Sequence, residues 1–385
     1  MIPSLRQQFN QQFTPEKYQK FLSLVEQRGG VPPRFRHNES PLFLPEDRAH
    51  DLGATGLELI RQLSTREYFK LSEQTLPADF RVAGDEGRPM FLQVDFGIDL
   101  EGKWKLVEIQ GFPSLYAYQP LLAECYRDAY EIEGLRHLPG HLSTEQYREL
   151  LCRAILGDAH PEEVVLLEID PKNQKTYCDF VVTEQLCGIR TVDITDVRQS
   201  GRELYYEHDG KRHTIRRIYN RAIVDELQRR DVELQFDLTA DLDVEWAGHP
   251  NWFFRISKFS LPYLKHESVP ETYFLRDAPS INDPENWVLK PLFSFAGLGV
   301  VVAPSMEHIQ AADPDRYILQ RRIEFAAPMA TPYGPTKCEL RAMYLWIEEQ
   351  PEFVNIIVRT GRGTQMGVDF NKGLEWVGAS AVFLQ

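Results

Sequence analysis

The feature that most constrains the fold is a predicted β-hairpin near the end of the first quarter of the chain. Its strands are Phe91–Phe96 and Trp104–Gln110, and in both of them apolar and polar residues alternate. A tight turn at Glu101-Gly102 would join them. Because successive side chains point to opposite faces of a strand, one face of the hairpin can pack on a core. The side chains expected on that face are Leu92, Val94, Phe96, Val107 and Ile109.

The other face of the hairpin carries acidic and amide groups. The predicted register sets Asp95 opposite Glu108 and Gln93 opposite Gln110. Two opposed carboxylates repel each other unless they are solvated or bridged by a cation. Carboxylate and amide oxygens without His or Cys nearby favour Mg²⁺, which proteins usually hold together with substrate phosphates. We therefore predict Asp95, Glu108 and Gln110 as metal ligands. The alternative is an exposed strand face in an acidic protein.

Composition narrows the possible partners. The 385 residues contain 43% hydrophobic residues, which is enough for two or three lobes with a sizeable core. A formal net charge of -14 argues against binding to nucleic acid or to anionic membranes. The sequence shows neither a signal pattern nor an apolar run of membrane-spanning length. We expect a soluble, cytoplasmic protein.

The cysteines show no metal-binding or redox spacing. An odd number in a chain of this length makes a disulfide framework improbable, and buried structural thiols are more frequent than nucleophiles. The cysteines are Cys125, Cys152, Cys178, Cys187 and Cys338.

The middle of the chain alternates between strands and helices. An apolar strand at Val164–Leu167 precedes a helix from Gln174 to Leu186 and a strand at Ile189–Asp193. A hairpin that starts at Glu203 and a strand at Ile215–Tyr219 follow. This order predicts a small parallel sheet, and the absence of GxGxxG argues against a dinucleotide-binding domain.

Two lysines and a glycine-rich loop lie in the last third of the chain. Lys258 follows an aromatic segment, and Lys290 ends a short apolar strand that leads into Ser294-Phe295-Ala296-Gly297-Leu298-Gly299. Small residues would let backbone N–H groups approach phosphate oxygens, with Lys290 as a nearby charge. An ordinary turn between strands is the alternative, because the P-loop pattern is missing.

Two arginines lie on the polar side of predicted apolar strands. Arg341 belongs to the strand Glu339–Trp346, and Arg359 to the strand Asn355–Arg359. A half-buried Arg usually has an anionic partner, which could be a structural carboxylate or a bound phosphate. The sequence leaves both open.

In combination, these residues resemble the synthetase domain of glutathionylspermidine synthase, a circularly permuted ATP-grasp family. That family's metal hairpin pairs an Asp strand with a Glu-x-Asn strand, and here Asp95, Glu108 and Gln110 stand at those positions, ahead of Pro113-Ser114-Leu115. Two positions depart from the pattern. Gln110 replaces the family Asn, and Gln93 replaces an Arg that stabilises the transferring phosphoryl group.

The resemblance continues in order along the chain. Lys258 follows a His249-Pro250-Asn251 segment, and Lys290-Pro291 precedes the glycine-rich loop, as in the family's nucleotide-binding region. The segment from Val164 to Glu226 resembles its small α/β domain.

The resemblance implies an α+β or α/β protein with an ATP-grasp fold in circularly permuted order. It would combine a small parallel pre-ATP-grasp domain with antiparallel ATP-binding lobes. The implied parts are a helical lead-in (1–85), the metal hairpin with the helices after it (86–160), the small α/β domain (161–248), the ATP-binding lobe (249–325) and the C-terminal strands (326–385).

The implied function is an ADP-forming ligase that joins a carboxylate to an amine through an acyl-phosphate, with ATP and Mg²⁺ as cofactors and without the companion amidase domain. The substrates would be small molecules, with a peptide or a polyamine among the candidates. Positioning and charge neutralisation would do most of the work.

The resemblance also implies roles for individual residues. Lys258 and Lys290 would neutralise phosphates, Ser294, Gly297 and Gly299 would close over them, Gln320 would lie at the adenine hinge, and Glu324 would contact the ribose or the hinge. Arg341, Arg359 and Gln93 are the candidate catalytic residues. Two alternatives stay open: an ATP-grasp kinase and a noncatalytic nucleotide-binding module, the latter because of Gln93. The oligomeric state is open as well.

Overall fold

The computed structural model describes residues 1–85, 87–294 and 297–385 as a mixed α+β structure with parallel and antiparallel sheets. The α-helices are α1 (Pro3–Gln12), α2 (Pro15–Gly29), α3 (Glu46–Leu63), α4 (Arg66–Leu71), α5 (Tyr118–Tyr130), α6 (Thr144–Leu156), α7 (Tyr177–Cys187), α8 (Val224–Arg229), α9 (Trp252–Arg255) and α10 (Met306–Ala311). The strands are β1 (Leu42–Leu44), β2 (Phe91–Ile98), β3 (Trp104–Gln110), β4 (Val164–Glu168), β5 (Arg190–Asp193), β6 (Arg198–Ser200), β7 (Glu203–His208), β8 (Lys211–Ile215), β9 (Arg217–Asn220), β10 (Glu245–Ala247), β11 (Thr272–Phe274), β12 (Trp287–Pro291), β13 (Val301–Val302), β14 (Tyr317–Arg321), β15 (Met329–Thr331), β16 (Gly334–Leu345), β17 (Glu352–Gly361), β18 (Gly378–Ser380) and β19 (Val382–Leu384).

An antiparallel sheet with the order β18-β17-β16-β2-β3 carries the hairpin, and β15 adds to β16. Its central pairing joins β2 to β16, so that Asp95 lies beside Arg341. One face of this sheet packs against α3 in a core that includes Leu92, Leu340 and Ile356. The other face is therefore the one that presents polar side chains.

The predicted opposition across the hairpin is confirmed, because Asp95 pairs with Glu108 and Gln93 with Gln110. The predicted tight turn is wrong. The amide of Asp99 donates to the carbonyl of Lys103 at 3.0 Å, so the loop is one residue longer and ends on the left-handed Gly102 (φ 81°).

A β-bulge at Val107 restores the register that the longer loop would otherwise shift. It also corrects one core assignment. Leu106 is fully buried in the core with Ile109, whereas Val107 is only half-buried.

A small parallel sheet, ordered β10-β9-β4-β5, confirms the strand and helix alternation predicted for the middle of the chain. α7 ends at Cys187 and is capped by the left-handed Gly188 (φ 70°). One strand was predicted wrongly: Ile215 ends β8, and the parallel strand β9 starts at Arg217. The antiparallel sheet β6-β7-β8 is formed by the segment of the chain between β5 and β9.

A second antiparallel sheet, ordered β11-β14-β12-β13, contributes to the candidate site. It carries Lys290 on β12 and Gln320 on β14. A 3₁₀ helix, Lys258–Tyr263, packs against both β3 and this sheet. Near the termini, β1 pairs in parallel with β19.

One disulfide is present, contrary to the expectation from the cysteine pattern. It joins Cys152 on α6 to Cys187 on α7. The thiols of Cys125, Cys178 and Cys338 are buried, as predicted. The disulfide was missed because the packing of α6 on α7 is a tertiary contact, which residue spacing does not reveal.

No helix in the described ranges is both long enough and apolar enough to span a bilayer. The ATP-grasp identity of the fold and the predicted domain boundaries stay predictions.

Candidate functional site

A cluster of polar side chains, called the polar cluster below, lies where β2, β3, β16 and β17 meet β12, β14 and the 3₁₀ helix. Its cationic members are Lys258, Lys290, Arg341 and Arg359, its carboxylates are Asp95, Glu108 and Glu339, and its amides are Gln93, Gln110 and Gln320. All of them except Glu339 were predicted as site residues. Alternation along the predicted strands placed the hairpin residues and the two arginines on the correct face, and the sheet order brings the strands together.

Asp95 is the most strongly bound carboxylate of the polar cluster. Arg341 donates to it through Nε (2.5 Å to Oδ1) and Nη2 (2.7 Å to Oδ2), and Arg359 donates through Nη2 (2.6 Å to Oδ2). Asp95 is only 2% exposed. Burial opposes its ionisation, but the two guanidinium groups outweigh that effect and lower the pKa of the carboxyl. The two arginines therefore have a structural carboxylate as their partner.

Glu339 is a member that the sequence analysis missed. It is buried on β16 and accepts a hydrogen bond from Nη2 of Arg359. Burial raises the pKa of its carboxyl, and the neighbouring charges of Asp95 and Glu108 raise it further, against the opposing effect of Arg359. The signal was available, since Glu339 precedes Arg341 by two residues and so shares its face of the strand.

Gln93 supports Arg341 with a neutral amide. Its Oε1 accepts from Nη1 of Arg341 at 3.0 Å and from Nε2 of Gln110 at 2.5 Å, while its own Nε2 donates to the carbonyl of Ser114 at 2.7 Å. Gln93 is fully buried. The amide thus fixes the guanidinium of Arg341 from the side opposite its fork with Asp95.

Lys258 connects the hairpin to the glycine-rich segment. Its Nζ donates to Glu108 Oε1 at 3.1 Å and to the carbonyl of Ser294 at 2.7 Å. The hydroxyl of Ser294 is buried and has no hydrogen-bond partner among the described residues. A void of about 10 Å³, which is roughly the space of one water molecule, lies between Glu108, Gln110 and Ser294.

Lys290 is held on the other side of the hairpin. Its Nζ donates to Gln320 Oε1 at 2.6 Å and to the carbonyl of Val107, the bulge residue, at 2.9 Å. Gln320 in turn donates to the hydroxyl of Thr272 at 3.2 Å. Burial lowers the pKa of Lys290 to about 8, because the nearby carboxylates only partly offset the lost hydration and the charge of Lys258 adds to the lowering.

The glycine-rich segment is only partly described. Gly297 and Gly299 both have left-handed backbones (φ 75° and 72°), and a Cβ on Gly299 would come within 2.8 Å of Pro291. Phe295 and Ala296, which the predicted loop includes, lie outside the described residues. The two glycines therefore allow the chain to turn back sharply after β12.

Glu324, which was predicted to contact the ribose or the hinge, lies outside the polar cluster. It is exposed and lines a separate open cleft of about 340 Å³ together with Lys105 and Arg322. The assignment came from its position after β14. The chain leaves that strand away from the cluster.

A second missed residue, Asp179 on α7, holds the loop that follows β3. Its carboxylate accepts the backbone N–H groups of Leu115, Ala117 and Tyr118 at 3.0–3.1 Å, and it pairs with Arg221 at 2.5 Å. Leu115 has a left-handed backbone (φ 61°). Asp179 thereby fixes the loop whose Ser114 carbonyl anchors Gln93.

The cluster contains groups that can bind phosphate as well as groups that can bind a hard cation. Guanidinium and ammonium groups bind phosphate oxygens, and carboxylate and amide oxygens bind Mg²⁺. No group of three or more His, Cys, Asp or Glu side chains in the described ranges is placed to hold a metal ion. The predicted Mg²⁺ ligands contain only two carboxylates, with Gln110 as the third oxygen donor.

Comparison with known proteins adds no identification. No protein-family model matches the chain, and no curated protein matches it.

Proposed function

We propose that this protein is an ATP-dependent carboxylate–amine ligase that forms an amide bond through an acyl-phosphate intermediate and releases ADP. The observation that carries the proposal is the pairing of Lys258, Arg341 and Arg359 with the opposed carboxylates Glu108 and Asp95. Lys290 lies next to them, bonded to the carbonyl of Val107. The resemblance in motif order to circularly permuted ATP-grasp enzymes supports the same reading.

The residues present fit Mg²⁺. Asp95, Glu108 and Gln110 supply hard oxygen ligands, and Ser294, whose buried hydroxyl has no partner among the described residues, lines the void beside Glu108 and Gln110. When bound, Mg²⁺ would neutralise charge on the β- and γ-phosphates. The chain's own contribution would be to orient the phosphates.

The cationic members would divide the triphosphate between them. Lys290 contacts β3 at the carbonyl of Val107 and Lys258 contacts it at the side chain of Glu108, so that each could donate to a phosphate oxygen there. Arg341 and Arg359 face Asp95 from β16 and β17. Closure of the segment around Gly297 would exclude water, which otherwise hydrolyses an acyl-phosphate.

A noncatalytic nucleotide-binding module is the second candidate. One observation favours it: Gln93 stands where the family has an Arg, and its Oε1 accepts a hydrogen bond from Arg341. In this case the protein would bind ATP with Mg²⁺ without catalysing a reaction.

The test is a phosphate-release screen with ATP, Mg²⁺ and pooled acids and amines, in which products are identified by mass. We expect release that depends on one acid and one amine. Glu108→Gln removes the carboxylate charge but keeps an oxygen that can accept from Lys258, so it should abolish the release with only a small loss of stability, whereas Glu101→Ala, an exposed residue of the same hairpin, should leave the release intact. ADP release that depends on no acid–amine pair would refute the ligase. Binding of MgATP without any turnover would select the module.

The cytoplasmic location also remains a proposal. The Cys152–Cys187 disulfide bears against it, since disulfides are uncommon in a reducing compartment. Alkylation of free thiols in rapidly quenched cells would show whether this pair is oxidised where the protein resides.

A further inference from the structure

Both carboxylates proposed as metal ligands are already engaged by cationic side chains. Asp95 accepts three N–H groups from Arg341 and Arg359, and Glu108 accepts Nζ of Lys258. The side chains of Asp95 and Lys258 are nearly fully buried. In such surroundings a charge that loses its partner is costly, so none of these contacts breaks without a replacement.

The charge balance makes single ligands unfavourable. The four cationic members of the polar cluster oppose three carboxylates, so the cluster already carries a small positive excess. A divalent cation alone would add to that excess at a buried position and would compete with the arginines. A triphosphate alone would be repelled by the carboxylates, because the arginines that could bind it are already paired with Asp95. Only a metal and a polyphosphate together offer a cation to the carboxylates and an anion to the arginines.

We infer that Mg²⁺ and a nucleoside triphosphate bind the site cooperatively, through an exchange in which Arg359 leaves Asp95 for a phosphate oxygen as the carboxylate becomes available to the metal. This inference rests on the proposed function.

The geometry singles out Arg359 as the side chain that moves. Oδ2 of Asp95 is shared between the two arginines, whereas Oδ1 accepts only from Arg341. Arg341 is 12% exposed and donates to Asp95 through two nitrogens and to Gln93 through a third, while Arg359 is 35% exposed and donates to Asp95 and to Glu339 through Nη2 alone. Departure of Arg359 therefore frees one position on Oδ2 and leaves Asp95 still paired, at the cost of the Glu339 contact. Gln93 acquires a role here, because it keeps Arg341 in place during the exchange.

Isothermal titration calorimetry on the full chain tests the exchange with three probes: Mg²⁺ alone, ATP with EDTA, and ATP with Mg²⁺. The expected result is that each ligand tightens the binding of the other by about 10- to 100-fold, by the same factor in both directions. Equal affinities with and without the other ligand would overturn the inference while leaving the proposed function intact. A failure of ATP with Mg²⁺ to bind at all would instead refute the proposed function.

Arg359→Met supplies the matched variant. Because it frees Oδ2 of Asp95, binding of Mg²⁺ without nucleotide should tighten by about tenfold or more, and binding of ATP should weaken. Arg28→Met, which breaks an exposed pair with Asp128, is the control and should change neither. Unchanged affinity for Mg²⁺ in Arg359→Met would contradict the exchange. If that variant does not fold, Arg359→Lys replaces it, and the wild-type coupling measured with the three probes still decides the question.

Discussion

The contact between Arg341 and Asp95 predicts a large loss of stability when the arginine is removed. Arg341→Met would delete two charge-assisted hydrogen bonds to Asp95 and one to Gln93, and Asp95 would keep only its bond to Arg359. Breaking a buried ion pair by removing one partner costs roughly 3–5 kcal/mol. Because Arg359 remains, we expect the lower end, about 3 kcal/mol.

The assay is urea denaturation followed by tryptophan fluorescence, with Arg202→Met as the matched control. Arg202 also pairs with two carboxylates, Asp241 and Asp243, but all three side chains are at least half exposed, so its loss should barely change stability. A double variant adds a second check. Asp95→Asn in the Arg341→Met background removes the unpaired charge, so the two changes together should cost clearly less than their sum.

The result that would refute this reasoning is equal destabilisation by Arg341→Met and Arg202→Met. Additive losses in the double variant would also contradict it. Either outcome would mean that water or a rearranged side chain compensates Asp95, and that the polar cluster is less tightly held than its contacts indicate.

Three further predictions concern stability. Burial raises the pKa of the Glu168 carboxyl from 4.5 to about 8, so between these values the folded protein retains a proton that the unfolded chain has lost. The free energy of unfolding should therefore fall between about pH 5 and pH 8, by up to about 1.4 kcal/mol per pH unit. In Glu168→Gln the urea midpoint should fall less steeply over the same range. Gly97→Ala would place a methyl group 1.8 Å from the ring of Phe325, so thermal melts should show a loss of about 2 kcal/mol or more. Cys152→Ser, or reduction of its bond to Cys187 across 35 residues, should cost about 3–4 kcal/mol, measured by melts with and without dithiothreitol.

Each of these changes has a control in the same chain. Glu162→Gln alters an exposed carboxylate and should leave the pH profile unchanged. Gly29→Ala adds a methyl group with nothing within 4 Å, so it should not destabilise. Cys125→Ser should leave the response to dithiothreitol intact. The prediction for Glu168 would be contradicted if Glu168→Gln kept the wild-type pH dependence. That for Gly97 would be contradicted if Gly97→Ala were as stable as the wild type. That for the disulfide would be contradicted if dithiothreitol left the melting temperature unchanged.

The sequence predicted the polar face of the hairpin because alternation along a strand is a local property. Asp95, Glu108, Gln93 and Gln110 lie opposite one another as expected, although the turn was wrong. The longer loop and the bulge at Val107 cancel, and neither is visible in a pattern of apolar and polar residues.

The partners of that face could not be predicted, because they depend on which strands are neighbours. Alternation places Arg341 on the polar side of its strand but does not show that this strand lies beside Asp95. The same gap explains why the arginines' partner was left open. It also explains Glu324, whose placement depends on the direction in which the chain leaves β14.

The pairing of β2 with β16 has a consequence for synthesis of the chain. Asp95 precedes Arg341 by 246 residues, which a ribosome needs on the order of 10–50 s to add. Throughout that interval the hairpin has emerged without its central neighbour, and its apolar face lacks the residues of β16 and β17 that complete the core. A nascent chain in this state exposes an unpaired strand edge next to an uncompensated carboxylate. Ribosome-bound chains truncated before β16 should therefore recruit a chaperone that chains extended beyond β17 no longer need.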